Sequence, residues 1–519
     1  MRPFNIARRT LGFGPMPAPL RVLLIAAALA GALPARAVSQ ASPYIPLDDP
    51  RLPLLEHLIA RGDVADPSPM MRPLRRWDAA RVLAAADSGT GDWPHPVSLI
   101  HRLREAFEDP PGNRWGLHGR LGAQAYTHSR RDPLHPAGPD GAQPYVDLRA
   151  AASFGNLVLV TRPVVEPRVT KDPDWPGRRD VKVAGRLADG YISAQFKYVR
   201  LLYGQMDWNW GPAGLPGIPL SNYGYERQGL ALEIGNRDIR LSALATDLHD
   251  QLDSLGQTVH RYYFVHRLHI RLSERLSVAP WEGIVVAGPG RNFESRYRNP
   301  LSISYLANTL GVGDRGNVML GADVSWRVFR RSTLEAQLAL DDFWTDDRDR
   351  NRDRWALTIG AKGPLFRSAA WRAFYTQVSS LALRAFNPAD NFTDAGVGIG
   401  RNFSDQDQLT LRASVPFRTQ WLLSPELTLL RQGEGRINDP YPLPDANGVL
   451  RTPALFTGVV ERTFRAALGV SGRGGPLDLM ADAGFHHVVN AGHARGQTRN
   501  RFEGRIQMTL GLSRTGSLR

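Results

Sequence analysis

The hydrophobic period of the chain changes near residue 115. Before that point apolar residues recur at helical spacing. Leu52, Leu55, Leu58 and Ile59 form one stripe, and Val97, Ile100, Leu103 and Phe107 form another. Between them Asp78 is placed to cap a helix running through Ala79–Ala86. Pro67 and Pro69, then Pro94 and Pro96, separate the segments, and Pro110-Pro111-Gly112 ends the region. This predicts a small module of two or three short helices.

From Trp115 onward the period is two. Val318, Leu320, Ala322, Val324 and Trp326 alternate with Met319, Gly321, Asp323 and Ser325. Leu334, Ala336, Leu338 and Leu340 alternate with Glu335, Gln337 and Ala339; Leu409, Leu411, Ala413 and Val415 alternate with Thr410, Arg412 and Ser414. The stretch from Phe502 to Leu512 alternates in the same way, and similar segments sit near 117–126, 146–160, 191–202, 229–246, 262–286, 355–361, 370–383, 464–471 and 477–485. Asn387-Pro388, Asn447-Gly448 and Gly472–Gly475 punctuate them as turns, and the Gly- and Pro-rich 431–458 region reads as a long loop. Each strand has one apolar face and one face of small, polar or charged residues. A soluble β-domain would bury the apolar face in a dry core; a membrane barrel would turn it outward to lipid. Periodicity alone does not choose.

Three features favour the barrel. Arg2, Arg8, Arg9 and Arg21 precede an apolar run of twelve residues, Val22–Leu33, which is too short to span a bilayer; Ala35-Arg36-Ala37 then supplies small residues for cleavage. We therefore expect a signal peptide over 1–37, a periplasmic helical module over 38–112 and an outer-membrane barrel over 113–519. Tyr126, Phe154, Trp326, Phe343, Trp355, Phe485 and Phe502 lie near strand ends, where an interfacial aromatic girdle would sit. Arg, Asp and Gln on the polar faces suit a wet interior better than a dry one. At roughly 22 residues per strand and connection, with strands of about 9–11 residues, the region holds about 18 strands. The predicted fold class is thus an all-β transmembrane barrel of about 18 antiparallel strands with a small N-terminal α-helical periplasmic module.

Composition removes several function classes. The absence of Cys among the 519 residues excludes a disulfide scaffold, a thiolate zinc site, a catalytic thiol and a lipid-modified N-terminal Cys. A mean hydropathy of -0.30 excludes a polytopic helical membrane protein. The formal net charge is +14, and all but four of the 64 basic residues are Arg. Arg suits planar anions and acidic polymers, nucleic acid among them. Removing residues 1–37 takes away five Arg and no acid, which leaves +9. A basic chain routed for export is not expected to bind nucleic acid.

Several motifs resemble those of the Wzi family of capsule-assembly outer-membrane proteins. They are Gly204-Gln205-Met206-Asp207-Trp208-Asn209-Trp210-Gly211-Pro212 with Pro219-Leu220-Ser221-Asn222, Gly288–Glu294 with Arg298-Asn299-Pro300-Leu301, Gly313–Asn317, and Leu340-Asp341-Asp342-Phe343. Tyr44–Arg51 is similar to the start of the mature family members. The resemblance covers most of the chain from about residue 43 and is densest between 190 and 345. It implies an 18-stranded barrel with a periplasmic helical bundle, a lectin-like role in holding capsular polysaccharide at the cell surface, and no enzymatic activity. The chain departs from the usual barrel terminus: Ser513–Arg519 follow the last alternating stretch, where such barrels end on an aromatic residue.

Candidate chemistry follows from residue type. Indole faces stack on pyranose rings and carboxylates accept sugar hydroxyls, so Asp207, Trp208 and Trp210 form one candidate polysaccharide site; the alternative is that the tryptophans anchor the barrel at the membrane interface. Arg291, Asn292, Glu294 and Arg296, with Arg298, form a polar cluster suited to an acidic polysaccharide or to internal pairing. Asp341 and Asp342 are a further candidate, or a structural pair at a strand end. Gly311–Gly316 has the spelling of a dinucleotide fingerprint, but a period-two strand follows it, so it reads as a turn. Asp346–Asp353 alternates acids with Arg and lacks the Gly and late Glu of a calcium loop, which favours a self-paired loop. His266 and His269 should face opposite sides of one strand, which argues against a metal site with His260. Neither Gly-x-Ser-x-Gly nor His-Glu-x-x-His occurs, whereas a carboxylate pair for glycoside hydrolysis could join residues far apart in the chain and is left open by the sequence. No cofactor, metal or catalytic residue is expected. The expected partners are capsular or extracellular polysaccharide, outer-membrane lipid and lipopolysaccharide, and the barrel assembly machinery, with the protein a monomer. A diffusion or polysaccharide export channel is the alternative function.

Overall fold

The computed structural model describes residues 41–87, 97–109, 112–128, 133–134, 140–310, 316–329, 331–342, 353–366, 368–418 and 420–518. The expected signal peptide, Gly311–Arg315, Phe343 and the Asp346–Arg352 part of the acidic run lie outside them.

Three helices come first: α1 (Leu52–Arg61), α2 (Arg76–Asp87) and α3 (Val97–Phe107). Asp78 sits inside the first turn of α2 rather than at its cap, and its carboxylate accepts from Arg75 Nε at 2.7 Å. The strands then follow as β1 (Arg114–Tyr126), β2 (Gly141–Phe154), β3 (Leu157–Val165), β4 (Gly185–Gln195), β5 (Val199–Met206), β6 (Arg227–Gly235), β7 (Ile239–Leu252), β8 (Thr258–Arg271) and β9 (Leu276–Gly288). Two short helices, α4 (Ser295–Arg298) and α5 (Ser304–Leu310), precede β10 (Asn317–Arg327), β11 (Thr333–Asp342), β12 (Arg354–Leu365) and β13 (Ala369–Val378). The two-residue strands β14 (Thr393–Asp394) and β15 (Val397–Gly398) pair with each other inside a loop. The wall ends with β16 (Gln406–Phe417), β17 (Trp421–Gln432), β18 (Glu461–Gly474), β19 (Leu477–Val489) and β20 (Thr498–Ser517).

Eighteen strands pair antiparallel with their neighbours, and β1 pairs with β20 from Arg114↔Ser517 to Tyr126↔Arg505, closing the barrel. Closure removes the exposed edges that an open sheet would present. Ser513–Ser517, which follow the last alternating stretch, are therefore strand: β20 continues to Ser517 and supplies half of the seam. Segments read as single strands, 146–160, 191–202, 229–246 and 262–286, are hairpins, turning at Gly155-Asn156, Phe196–Tyr198, Asn236–Asp238 and Leu272–Arg275. At this end of the barrel every connection has two to five residues. At the other end most are longer, residues 207–226, 379–405 and 433–460 among them.

The alternation has the sense of a membrane barrel. Leu117, Leu121, Leu148, Leu338, Leu411, Leu427, Phe464, Leu468 and Leu510 are exposed on the outer face. Of the expected girdle aromatics, Phe154, Trp326, Phe485 and Phe502 are exposed. The inner face carries buried charges that pair across strands: Asp147 with Arg120 and Arg162, Glu335 with Lys362, and Glu426 with Arg412 and Arg465. Pairing is what permits them there, because an uncompensated buried ion costs several kcal/mol.

Candidate functional site

The interior is filled from both ends. At the short-turn end the N-terminal segment enters the barrel and α1 packs on β12, β13, β17 and β18. The α1 stripe, with Ile100, Leu103 and Phe107 of α3, forms a core that includes Leu422 of β17. Polar contacts fix this module in register. Ser42 N–H donates to Gln195 Oε1 (3.0 Å), Tyr44 N–H to the Tyr191 hydroxyl (3.0 Å), and Arg331 to Asp63 Oδ1 (2.8 Å). Asp48 pairs with Arg162 and Arg120. Burial works to raise the Asp48 carboxyl, but Arg162 and Arg120 outweigh it and hold the group well below the usual carboxylate range. Beside this junction lies a cavity of about 150 Å³, lined by Arg51, Arg76, Arg120, Arg149, Arg162 and Arg473 with Asp49 and Asp147.

From the long-loop end, residues 207–226 dive into the lumen and meet the module. The backbones of Asn209 and Arg72 exchange both hydrogen bonds, at 2.8 and 3.0 Å. The Asn209 side chain closes the tip of this loop, accepting from Gly217 N–H (2.7 Å) and donating to Leu215 O (3.0 Å). Gly217 permits the turn: a Cβ there would lie 2.0 Å from the Trp210 carbonyl. Gln337 of β11 then clamps the loop to the wall, donating to Trp210 O and accepting from Ile218 N–H, both at 2.9 Å. Gln337 is itself held by Asp323, which also receives Trp281 Nε1–H (2.9 Å) and Arg267 Nε–H (2.9 Å).

Two more loops complete the filling. Ser221 N–H donates to Ile399 O (3.0 Å), joining the 207–226 loop to the 379–405 loop. Arg261 of β8 donates to the carbonyls of Ala389, Asn391 and Thr393. Asp405 gathers the 433–460 loop, accepting from Gly435, Phe456 and Thr457 N–H.

This arrangement changes the reading of the tryptophans. Trp210 is 1% exposed and Trp208 8%, both inside the lumen, with Trp208 edge-on to Tyr44 at 6.2 Å. They belong neither to the membrane interface nor to an open stacking platform; they are the apolar filling between loop and module. Asp207 is partly buried beside them. Burial pushes its carboxyl up to about 7; Arg186 opposes this, while Asp189 and Asp48 add to it. Asp341 is buried too, accepting from Leu383 N–H at 3.0 Å and lying 3.6 Å from Arg354, so it ties the 379–405 loop to the wall. The backbone of Asp342 pairs with Arg354 across a bulge, at a strand end as the structural alternative required. Arg291 pairs with Glu294, Arg296 Nε lies 3.5 Å from Glu294, and Asn292 is exposed. This cluster stands apart from Asp207 and the tryptophans, in the β9–β10 connection.

The long-loop rim also holds aromatic surface that sequence reading missed. Phe386 is 63% exposed and packs on Tyr441 at 4.1 Å between ring centroids; Arg354 lies over the Tyr441 ring at 5.6 Å. Trp175 packs edge-on to Tyr225 at 4.6 Å, near exposed Arg178 and Arg179. Phe386 and Tyr441 sit in two different irregular loops, so no periodic signal marked them. His266 and His269 do face opposite sides: His266 Nδ1 contacts Glu282 outside at 2.9 Å, whereas His269 points inward.

No family model matches the chain, and neither does any curated protein. Among solved structures it is similar to Wzi of Escherichia coli, described as an outer-membrane protein involved in group 1 capsule assembly and a carbohydrate-binding β-barrel. That match has a TM-score of 0.62 at 13% identity and covers 92% of this chain and 99% of the other. The two share the fold of a closed 18-stranded antiparallel barrel. Weaker matches are the outer-membrane protein OprD of Pseudomonas aeruginosa, with a TM-score of 0.41 at 10% identity over 77% of this chain and 93% of the other. OccAB4 of Acinetobacter baumannii follows, with a TM-score of 0.43 at 10% identity over 78% and 99%.

Proposed function

We propose that this protein is an outer-membrane barrel that binds surface polysaccharide without catalysis and helps assemble it or keep it attached to the cell. In this reading residues 1–37 direct export, the helical module faces the periplasm and the long loops face outward. One observation carries the choice of binding over passage: the interior is occupied from both ends, with the 207–226 loop bonded directly to the N-terminal segment at Asn209 and Arg72. The outward barrel face, apolar between aromatic ends, supports the membrane placement. Arg and aromatic side chains at the long-loop rim supply stacking and charge-assisted hydrogen bonds for an acidic sugar polymer. With Trp208 and Trp210 buried, exposed Phe386 and the half-buried Tyr441 and Trp175 take over the stacking role. The carbohydrate-binding character of the structurally similar Wzi agrees with this reading.

The test is binding of the detergent-folded protein to the producing strain's own surface polysaccharide, with a neutral glucan as control. Selective binding that weakens in Phe386→Ala and Trp175→Ala is the expected result. No binding to the polysaccharide, together with rapid solute flux in a liposome swelling assay, would overturn it in favour of a channel.

A further inference from the structure

The β9–β10 connection folds back over the outside of the wall. Arg261, Tyr263 and Arg267 of β8 reach interior groups, so the alternate residues Tyr262, Phe264, His266 and Leu268 face outward. Yet Phe264 is 1% exposed and His266 7%. Residues 291–310 cover them from outside. Phe293 packs on Phe264 at 5.2 Å and on Tyr262 at 6.0 Å, and Tyr297 packs on Phe264 at 6.0 Å. Ile284 and Val286 of β9 complete this buried patch.

A polar latch fixes the covering segment. Glu282, outward-facing on β9, accepts from Ser304 N–H (2.7 Å) and Tyr305 N–H (3.3 Å), and His266 Nδ1 lies 2.9 Å from the same carboxylate. Ser304 is thus held six residues down the strand from Gly288, where the chain leaves the rim. At about 3.3 Å per residue and a tilt near 40°, that is roughly 15 Å below the rim. The part that reaches this depth is apolar and exposed: Leu301 (78%), Ile303 (56%), Tyr305 (49%) and Leu306 (49%). It is continuous with the outward apolar belt at Leu268 and Leu320. Nearer the rim, Arg296 and Arg298 are exposed beside Tyr297 and Phe293, which pack at the level of Phe264 and Tyr262, above Glu282; Glu294 balances one of the segment's three Arg charges.

We propose that residues 291–310 are a seat for a phosphate-bearing, multi-acyl glycolipid of the outer leaflet. The acyl chains lie on Leu301, Ile303, Tyr305 and Leu306, and the phosphates meet Arg296 and Arg298 above them. The occupant follows from the order of the two surfaces along the membrane normal, charge above hydrocarbon, which a soluble anion or a protein loop does not match. This inference rests on the outer-membrane placement proposed above.

The full-length protein is placed in nanodiscs of phosphatidylcholine with a minor fraction of a diphosphorylated multi-acyl disaccharide lipid, then released in mild detergent and weighed by native mass spectrometry. We expect preferential retention of the glycolipid, lowered by Arg296→Ser and Arg298→Ser about fivefold per arginine removed, the loss for one basic side chain at a charged membrane surface. Arg237→Ser with Arg275→Ser, exposed at the short-turn end, should leave retention unchanged. Equal retention of the dephosphorylated lipid, or no preference over phosphatidylcholine in a correctly embedded barrel, overturns the inference and leaves the membrane placement intact. Failure of the folded barrel to enter nanodiscs at all overturns both.

Discussion

The two ends of the barrel are stoppered by different physics. The N-terminal module is docked through apolar packing and buried ion pairs, of which Asp48, Asp147, Arg120 and Arg162 form the densest group. The long-loop end is closed mainly by single side chains that grip loop backbone: Asn209 and Gln337 hold the 207–226 loop, Arg261 and Asp341 the 379–405 loop, and Asp405 the 433–460 loop. An ion pair is strong only while both partners are present and ionised; a bond from one side chain to a backbone group is weaker singly and needs no second charge. The two stoppers touch at Arg72 and Asn209.

Breaking the ionic end should give the largest effect. Arg162 is 4% exposed at its side chain and faces Asp48, Asp147 and Asp189. Arg162→Ala leaves those carboxylates short of a partner and should cost about 3–5 kcal/mol, the usual penalty for an orphaned buried charge. The expected outcome is rapid protease cleavage within 41–109 in a barrel that still migrates as a closed form on an unheated gel. Unchanged protease resistance would show that packing, rather than charge, docks the module.

The long-loop end should respond more mildly. Gln337→Ala removes both clamps on the 207–226 loop and should cost about 1–3 kcal/mol for the groups left unpaired. Its signature is brief conductance openings in planar bilayers that the parent protein lacks. A silent variant would place the closure in the other loops.

The smallest effect sharpens the comparison where the two ends meet. Asp207 has its carboxyl raised to about 7, chiefly by burial. A raised carboxyl favours the folded state while protonated, so this contribution is present below about pH 4 and lost as the pH rises towards 7. Asp207→Asn should therefore match the parent in thermal stability near pH 4 and exceed it by a few degrees above pH 7, about 1 kcal/mol once solvent screening of this partly buried side chain is allowed for. Identical melting at both values would mean that Asp207 stays ionised beside Arg186.

The wall was legible because lipid on one side and polar filling on the other impose a strict period of two, as in Val318–Trp326. Four hairpins were merged in the reading because their turns are only two to four residues long and the alternation resumes at once after them. The filling was not legible. Trp208 and Trp210 look like surface aromatics until the loop is seen to bond to Arg72, Gln337 and Ile399, positions far away in the chain. The covering segment was hidden for a related reason. Leu301, Ile303 and Tyr305 are too few and too irregular to give a period, and their support, Phe264 and Glu282, belongs to the wall. The polar cluster at Arg291–Arg296 was recognisable as chemistry, but its place outside the barrel was not.

The seam between β1 and β20 has a consequence for assembly. Arg114 pairs with Ser517, so the wall is complete only when its last strand has joined its first. β20 is bonded on one side to β1 and on the other to β19, so this one strand holds the ring shut around the module and the three inward loops. A copy cut short of Thr498 lacks that strand, which leaves β1 and β19 with open edges and the polar contents facing lipid.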